Sequence, residues 1–260
     1  MTALQLKSGA YSAAGYIANA QRSINIFPEQ NPEDTEPEAP FTHYPRPGNR
    51  LLQTAPAPAG ARCLYRATNG DLYAVIAQNV YYIDANWTYT LLGQLVVVAS
   101  TPVIASDNGT TIALVDGSPN GYQIVMATRV LTQIGDPNYL GSTGVDFLDS
   151  FLLFNNPGTN QWYCTLSAQL VFNALFIGQK TAWPDNILRV VAIEREAWLF
   201  GPQKSEVWYN AGGVPFPFNI LPGVIIEQGC AAPYSCAKMD SNVYWLSQSP
   251  EGDRMVMRMN

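Results

Sequence analysis

The sequence contains very little histidine and few of the motifs that enzymes use. His43 is the one histidine among 260 residues, so a Ser-His-Asp or Cys-His site would have to be built on it. No serine lies in a G-x-S-x-G motif, and no phosphate-binding glycine loop occurs. His, Cys, Asp and Glu do not cluster at the spacing of metal ligands. We therefore predict no catalytic residue, no cofactor-binding residue and no metal site, and a protein that is not an enzyme.

Cysteine is also scarce, and none of the four cysteines stands in a C-x-x-C motif. Cys230 and Cys236 are close enough in sequence to pair. The N-terminus has no apolar signal region, however, which favours reduced thiols in a cytosolic product. The longest apolar run, 91–105, is interrupted by polar residues and Pro102, so no membrane span is predicted.

Charged residues make up 13% of the chain, about half the share that is usual in soluble domains. The formal net charge is −6, and the 14 Lys and Arg residues are scattered rather than clustered. Sequence-specific nucleic-acid binding needs grouped cations and is not expected. A weakly charged surface suits permanent contact with other proteins. A β-rich domain with few charges and no partner is the alternative.

What the sequence does contain is a repeat of alternating apolar strands. Five hairpins recur, each with a polar turn rich in Gly, Pro, Asn or Asp. They begin at Leu72, Thr111, Phe151, Ala197 and Val243, and the second consists of the strands Thr111–Val115 and Gly121–Val125. A further strand precedes each hairpin at intervals of 41 to 46 residues, the last of them at Tyr234–Lys238. A fourth strand follows the first four hairpins, the last of them at Pro217–Leu221. Four antiparallel strands in this period predict an all-β, β-propeller-like fold of repeated blades. A sandwich or barrel is the alternative.

The repeat divides the chain into two predicted regions. Residues 1–60 form a Pro-rich arm with a short strand at Ser23–Glu29, either reaching a neighbouring subunit or lying as a surface loop. Residues 61–260 form the blades, at about 61–93, 102–135, 144–178, 187–222 and 233–260. The fifth unit is predicted to be incomplete, without an outer strand, which gives a partial ring. Either the N-terminal segment supplies that strand or the chain is a shortened form.

Propellers also host glycosidases, which need two carboxylates across a cleft. Four aspartates fall near strand ends in the repeat, and turn formation explains such residues equally well: Asp84, Asp116, Asp149 and Asp240. The segment Ser106–Thr111 does not match a sialidase aspartate box, and an ordinary Asn-Gly hairpin turn explains it better. Four tryptophans lie within predicted strands, where they would line sugar sites or fill the core: Trp162, Trp198, Trp208 and Trp245. A carbohydrate-binding or glycoside-cleaving propeller is therefore the alternative function.

Several segments carry a family resemblance. They are Ser23–Glu29, Tyr44–Gly48, Cys63–Tyr73, Val80–Asp84, Asp107–Thr111 and Ala113–Tyr122. Together they resemble the packaged-DNA stabilisation proteins, or tail hub accessory factors, of short-tailed bacteriophages. The resemblance implies a structural virion protein that assembles as a homo-oligomeric ring below the portal and its adaptor and closes the channel after packaging. It also implies other tail proteins as partners, a place in the virion tail or neck, and synthesis in the bacterial host cytoplasm.

Overall fold

A computed structural model of the chain describes residues 26–30, 41–57, 59–97, 100–248, 252 and 254–259. The chain divides into two units, Met1–Thr54 and Ala55–Asn260. In the first unit, strand β1 (Ile26–Gln30) pairs antiparallel with β2 (Phe41–Pro45). The predicted strand at 23–29 overlaps β1, and its first three residues lie outside the described residues. Sequence reasoning missed β2, because a Pro-rich context argued against a paired strand there.

The second unit contains five four-stranded antiparallel sheets arranged as a β-propeller, which confirms the predicted fold class. Blade 1 contains β3 (Ala61–Arg66), β4 (Leu72–Ile76), β5 (Asn79–Ile83) and β6 (Tyr89–Gln94). Blade 2 contains β7 (Ile104–Asp107), β8 (Thr111–Val115), β9 (Gly121–Val125) and β10 (Val130–Gln133). Blade 3 contains β11 (Val145–Leu148), β12 (Phe151–Asn155), β13 (Gln161–Thr165) and β14 (Phe172–Gln179). Blade 4 contains β15 (Arg189–Ile193), β16 (Glu196–Phe200), β17 (Ser205–Asn210) and β18 (Phe218–Ile226). Blade 5 contains β19 (Gly229–Cys230), β20 (Ala237–Met239), β21 (Asn242–Gln248) and β22 (Val256–Met259).

Tight turns join the first and second strands of the blades, even where the sequence offers no glycine. Between β11 and β12, Asp149 and Ser150 have φ values of 45° and 75°, and between β15 and β16, Glu194 and Arg195 have φ values of 49° and 66°. Two successive positive φ values are the signature of a two-residue hairpin turn that follows the strand twist. Non-glycine residues are strained at positive φ. The turns hold them in this conformation because the strands on both sides are paired in a fixed register.

The core lies between neighbouring blades. Middle strands are buried on both faces, so their residues alternate between two neighbours. In β12, Leu153 packs with residues of blade 4, whereas Leu152 and Phe154 pack with residues of blade 2. This arrangement explains why the middle strands are almost continuously apolar, as in sheets covered on both sides. Each blade therefore stabilises the next, and the hydrophobic core is divided among the interfaces between successive blades.

Blade 5 departs from the predicted pattern at its inner strand. A single first strand was predicted at Tyr234–Lys238, and this is wrong, because Pro233–Ser235 forms a short 3-10 helix. Two short strands, β19 and β20, share the inner position and both pair with β21, whose other edge pairs with β22. Proline lacks the N–H group that a strand ladder requires, which interrupts the strand at this point. The fifth sheet thus has four strands but three positions, consistent with the predicted incomplete unit.

Blade 5 rests on blade 4 at a point where only glycine fits. A Cβ atom at Gly229 would stand 2.2 Å from the carbonyl oxygen of Pro202, while the adjacent Cys230 N donates to Gly201 O at 2.8 Å. We expect Gly229→Ala to lower the free energy of unfolding by about 2 kcal/mol, because backbone cannot move aside as a side chain can. Gly135→Ala is the matched control, because nothing lies within 4 Å of a Cβ atom at that position. Gly252→Ala would not serve, because Gly252 has a φ of +93° and any side chain there is strained. Urea unfolding of both variants measures the difference, and equal stabilities would contradict the prediction.

Candidate functional site: the central channel and the outer strands

The inner strands of all five blades surround a cavity of about 370 Å³ on the propeller axis. Its charged and hydroxyl-bearing lining comes from every blade: Tyr65 and Thr68 from blade 1, Asp107 from blade 2, Asp146 from blade 3, Arg189 from blade 4 and Lys238 from blade 5. Innermost strands carry these side chains because alternate residues of such a strand face the axis. We call this cavity the central channel, and two carboxylates dominate its hydrogen bonding.

Asp107 joins blade 2 to blade 1. Its Oδ2 accepts hydrogen bonds from Tyr65 OH at 2.6 Å and Thr68 N at 3.1 Å. Its Oδ1 accepts from Thr68 Oγ1 at 2.6 Å and Gly109 N at 2.8 Å. The side chain is buried, so each of these bonds forms away from bulk water. One carboxylate therefore fixes the end of its own strand and the neighbouring inner strand together.

These bonds also set the protonation of the pair. Burial alone would raise the pKa of Asp107, but the donors from Thr68, Tyr65 and Gly109 outweigh it and lower the pKa below its usual 3.8. Burial and the negative charge of Asp107 raise the pKa of Tyr65. At neutral pH the pair is thus a phenol donating to a carboxylate, which is a stable structural arrangement.

Asp146 connects blade 3 to two other blades, 4 and 5. Its Oδ2 accepts from Ala192 N of blade 4 at 2.8 Å, and both of its oxygens contact Lys238 Nζ of blade 5 at 2.8–2.9 Å. Lys238 is partly exposed, so the ion pair contributes at most about 1 kcal/mol. The main effect of the ion pair is to hold the inner strand of blade 5 in position next to that of blade 3.

Arg189 provides the fourth charge of the channel. Its Nη1 donates weakly to Thr143 O at 3.4 Å, and its Nε finds no hydrogen-bond partner among the described residues. Burial lowers the pKa of Arg189, and the charge of Asp146 opposes this shift. The guanidinium lies against Gly144, where a Cβ atom would stand 2.6 Å from Nη1. Two acidic and two basic side chains thus balance one another in the channel lining.

The aspartates singled out from the sequence serve local turns instead of a shared cleft. Asp84 Oδ1 accepts from Asn86 N and Thr88 N, and Asp116 Oδ1 accepts from Ser118 N and Oγ. Asp149 and Asp240 have positive φ values in the turns before β12 and β21, and Asp149 also pairs with Arg195 of blade 4. The structure places none of these four in the lining of the channel. The turn interpretation explains their positions.

The remaining sequence candidates also have structural surroundings. Trp162, Trp198, Trp208 and Trp245 are all buried between blades, where they fill the core. His43 is exposed on β2 in the first unit. Among the described residues, no three His, Cys, Asp or Glu side chains are grouped to hold a metal ion. No helix in the part of the chain that the structure describes is long and apolar enough to cross a membrane.

Sequence reasoning missed Asp107, Asp146, Arg189 and Lys238. The sequence contained one signal. Asp107 ends β7 and Asp146 is the second residue of β11, so both lie on inner strands of successive blades, at a separation close to the repeat length. The bonds they make are to other blades, however, and these partners are separated by 39 to 92 residues in the chain. Only the folded arrangement of the blades shows which donor meets which carboxylate.

A second feature lies on the outside of the propeller. The last strand of every blade carries an exposed large apolar side chain. These are Leu91 on β6 (54% exposed), Val130 on β10 (51%), Leu175 on β14 (63%), Ile225 on β18 (46%) and Val256 on β22 (75%). Single exposed apolar residues are ordinary, but one on the outermost strand of each blade makes a repeated pattern. We call these five residues the outer apolar set.

Fold and site together define a β-propeller in which five blades are joined through a charge-balanced channel and carry apolar residues on their outer strands. Residues 5–260 match the Phage_stabilise family, described as "Bacteriophage P22 Gp10, beta-propeller". The chain belongs to this family and is therefore a bacteriophage structural protein. This confirms the resemblance to phage DNA-stabilisation proteins that the sequence segments indicated, and it indicates a place in the virion.

Solved structures that are similar to the chain are propellers of diverse kinds. BamB from Moraxella catarrhalis is 10% identical, with a TM-score of 0.51 over 84% of this chain and 60% of that one. A catalytically inactive virginiamycin B lyase from Staphylococcus aureus with quinupristin is 13% identical, with a TM-score of 0.50 over 80% and 67%. The Cps50 (Swd1) β-propeller domain of Myceliophteria thermophila is 10% identical, with a TM-score of 0.50 over 76% and 73%. At these identities the likeness shows the fold alone. No curated protein matches the sequence.

Proposed function

We propose that this protein is a component of the phage tail hub that closes the portal channel after packaging and stabilises the packaged DNA. In this role it forms a homo-oligomeric ring in the neck of the virion, where it contacts the portal adaptor and other tail proteins. The chain is made in the host cytoplasm and does not read nucleic-acid sequence. Family membership supports the virion setting, and the outer apolar set supports the structural role.

The outer apolar set is the observation that carries this proposal. Outermost strands have a free edge and an exposed face, and soluble proteins usually protect both with charges or proline. Leu91, Val130 and Leu175 occupy exposed positions on these strands, where a charged residue such as Lys or Glu would prevent two protein molecules from associating. Apolar side chains with few charges around them are typical of the central part of protein interfaces. Burial of these residues against neighbouring virion proteins would offset the cost of exposing them.

A complementation experiment tests the interface. Phage particles that lack the protein are supplied with a Leu91→Lys/Val130→Lys variant, and the infectious titre and the DNA retained after nuclease treatment are measured. We expect the infectious titre and the retained DNA to fall about tenfold or more. Each lysine placed in the buried part of an interface should weaken binding by over about 1 kcal/mol. The matched control is Val96→Lys, since Val96 is 66% exposed but lies in the connection between blades 1 and 2.

The two parts of the proposal fail in different ways. Equal titres for the double variant and the Val96→Lys control would contradict an interface on the outer strands. Particles that lack the protein but keep all their DNA would contradict the DNA-stabilising role and leave the structural role in place. Sedimentation of the purified protein as a monomer, both alone and with portal–adaptor complexes, would contradict the ring.

A further inference from the structure

Two cysteine sulfurs face each other in blade 5. Cys230 ends β19, Cys236 precedes β20, and their Sγ atoms are 3.8 Å apart. A disulfide requires about 2.05 Å, so the sulfurs need to approach by roughly 1.8 Å. Cys63 and Cys164 lie elsewhere, on β3 of blade 1 and β13 of blade 3. The chain therefore contains one close thiol pair and two cysteines that serve as internal controls.

The insert between the two cysteines holds them in this position. The Ser235 hydroxyl donates to Ala232 O at 2.7 Å and accepts from Leu246 N of β21 at 2.9 Å. Ala231 N donates to Leu246 O at 2.9 Å. Residues 231–235 thus form a small turn fastened to β21 at both ends. Formation of the disulfide therefore requires a small movement within this short turn, which contains the 3-10 helix.

The surroundings favour a thiolate on this pair. A hydrogen bond from Cys236 lowers the pKa of Cys230 to about 7, against the opposing effect of burial, and the nearby Arg189 guanidinium contributes. The same hydrogen bond raises the pKa of Cys236, as does burial. The pair therefore shares one proton near neutral pH. Thiolates are the reactive form of cysteine, and an adjacent cation is a typical feature of reactive cysteines. Burial alone raises the pKa of Cys63 to about 11, and it also raises the pKa of Cys164.

We propose that Cys230 and Cys236 are a redox-active dithiol that low-molecular-weight disulfides, such as glutathione disulfide, close to an intramolecular disulfide. Cys230 carries the thiolate, so its Sγ attacks one sulfur of glutathione disulfide. The glutathione S–S bond breaks, one glutathione thiolate leaves and takes up a proton from water, and a mixed disulfide forms on Cys230. Cys236 then gives up its proton to water, attacks Cys230 Sγ and releases the second glutathione. Two electrons pass from the cysteines to the two glutathiones, and two thiols become one disulfide.

Closure would cross-link the end of β19 to the start of β20, the two strands that share the inner position of blade 5. Lys238, two residues beyond Cys236, contacts Asp146 across the channel, so the bond stiffens the strand that carries this contact. If the virion function proposed above holds, the pair is reduced in the host cytoplasm and closes once particles reach oxidising surroundings. That consequence rests on the proposed function, whereas the disulfide itself does not.

Peptide mapping of the purified full-length chain tests the proposal. The folded protein is equilibrated with glutathione mixtures of increasing oxidised fraction, quenched with acid, alkylated and cleaved by trypsin. Ser205–Lys238 is one tryptic segment and contains both cysteines, so the disulfide blocks alkylation of both within one peptide. We expect Cys63 and Cys164 to remain alkylated under the same conditions. We also expect the oxidised protein to melt about 5 °C higher, because the bond closes a short loop in the unfolded chain.

Matched variants separate the pair from general oxidation. Cys63→Ser should leave closure unchanged, and Cys236→Ser should leave Cys230 as a free thiol or a glutathione adduct. Two alkylated cysteines in the Ser205–Lys238 segment of the wild-type protein at the most oxidising poise would overturn the proposal. The same conclusion would follow if Cys63 or Cys164 were oxidised as readily. Both readouts use purified protein, so they are independent of whether the chain stabilises packaged DNA.

Discussion

Replacement of Trp162 by Ala is expected to lower the free energy of unfolding by about 4 kcal/mol, within the range measured for large buried aromatic residues. Trp162 is fully buried on β13, and its ring contacts those of Trp208, Phe216 and Phe218 at centroid separations of 5.2–5.5 Å. These partners belong to blade 4, so the ring fills the interface between two blades. Its loss leaves a cavity that the rigid sheets cannot close. Urea unfolding followed by circular dichroism measures the effect.

Two further variants test the reason for this loss. Trp162→Phe keeps most of the ring volume and removes Nε1, which finds no hydrogen-bond partner among the described residues, so we expect a loss of only about 1 kcal/mol. Trp87→Ala removes a tryptophan of similar size from an exposed turn and should change stability by less than about 0.5 kcal/mol. If Trp162→Ala were as stable as Trp87→Ala, the ring would not be a core residue. The carbohydrate-binding interpretation of this tryptophan would then need to be reconsidered.

The sequence predicted the hairpins of the propeller well because their structure depends on local properties. The predicted strands Thr111–Val115 and Gly121–Val125 coincide with β8 and β9. Alternating apolar residues and a turn of Asp, Gly and Asn specify both the strands and their register without help from the rest of the chain. The same properties recur in each unit, so the period of the repeat was visible. Outer strands were placed less well: β18 runs to Ile226, five residues past the predicted end at Leu221.

The channel could not be predicted in this way. Its bonds join residues of different blades, and their partners depend on how far each sheet turns relative to its neighbour. Ser106–Thr111 was interpreted as an ordinary hairpin turn, and Asp107 does accept from Gly109 N in that turn. The same carboxylate also accepts three bonds from blade 1, which nothing in the local sequence indicates. The local sequence therefore looks the same whether an aspartate only forms a turn or also joins two blades.

We expect Asp107→Asn to lower the free energy of unfolding by about 3 kcal/mol, although the two side chains have nearly the same shape. Each carboxylate oxygen accepts one backbone N–H: Oδ2 that of Thr68 and Oδ1 that of Gly109. An amide has one acceptor oxygen, so its NH₂ group faces a backbone donor in either orientation. The hydroxyls of Tyr65 and Thr68 can rotate to accept, but a backbone N–H cannot. One buried donor therefore loses its acceptor, and the hydrogen bonds to a charge are lost as well.

Asp84→Asn is the matched control for this substitution. Asp84 also accepts two backbone N–H bonds, from Asn86 and Thr88 at 2.8 Å each, but both go to the same oxygen, Oδ1. The amide oxygen of asparagine can keep both, so we expect a change below about 0.5 kcal/mol. Equal losses for the two variants would show that removal of charge, and not the distribution of donors, determines the effect.

The pH dependence identifies the ionised carboxylate as the stabilising form. Because the pKa of Asp107 is lowered in the folded protein, its contribution is fully present above the unfolded pKa of about 3.9 and is lost as the pH falls through the folded value. The difference in stability between wild type and Asp107→Asn should therefore be constant from pH 7 to about pH 5 and shrink below about pH 4. Urea unfolding at each pH measures this difference. A difference that grows as the pH falls would mean that protonated Asp107 is the stabilising form, and the joint between blades 1 and 2 would then rest on a neutral hydrogen bond.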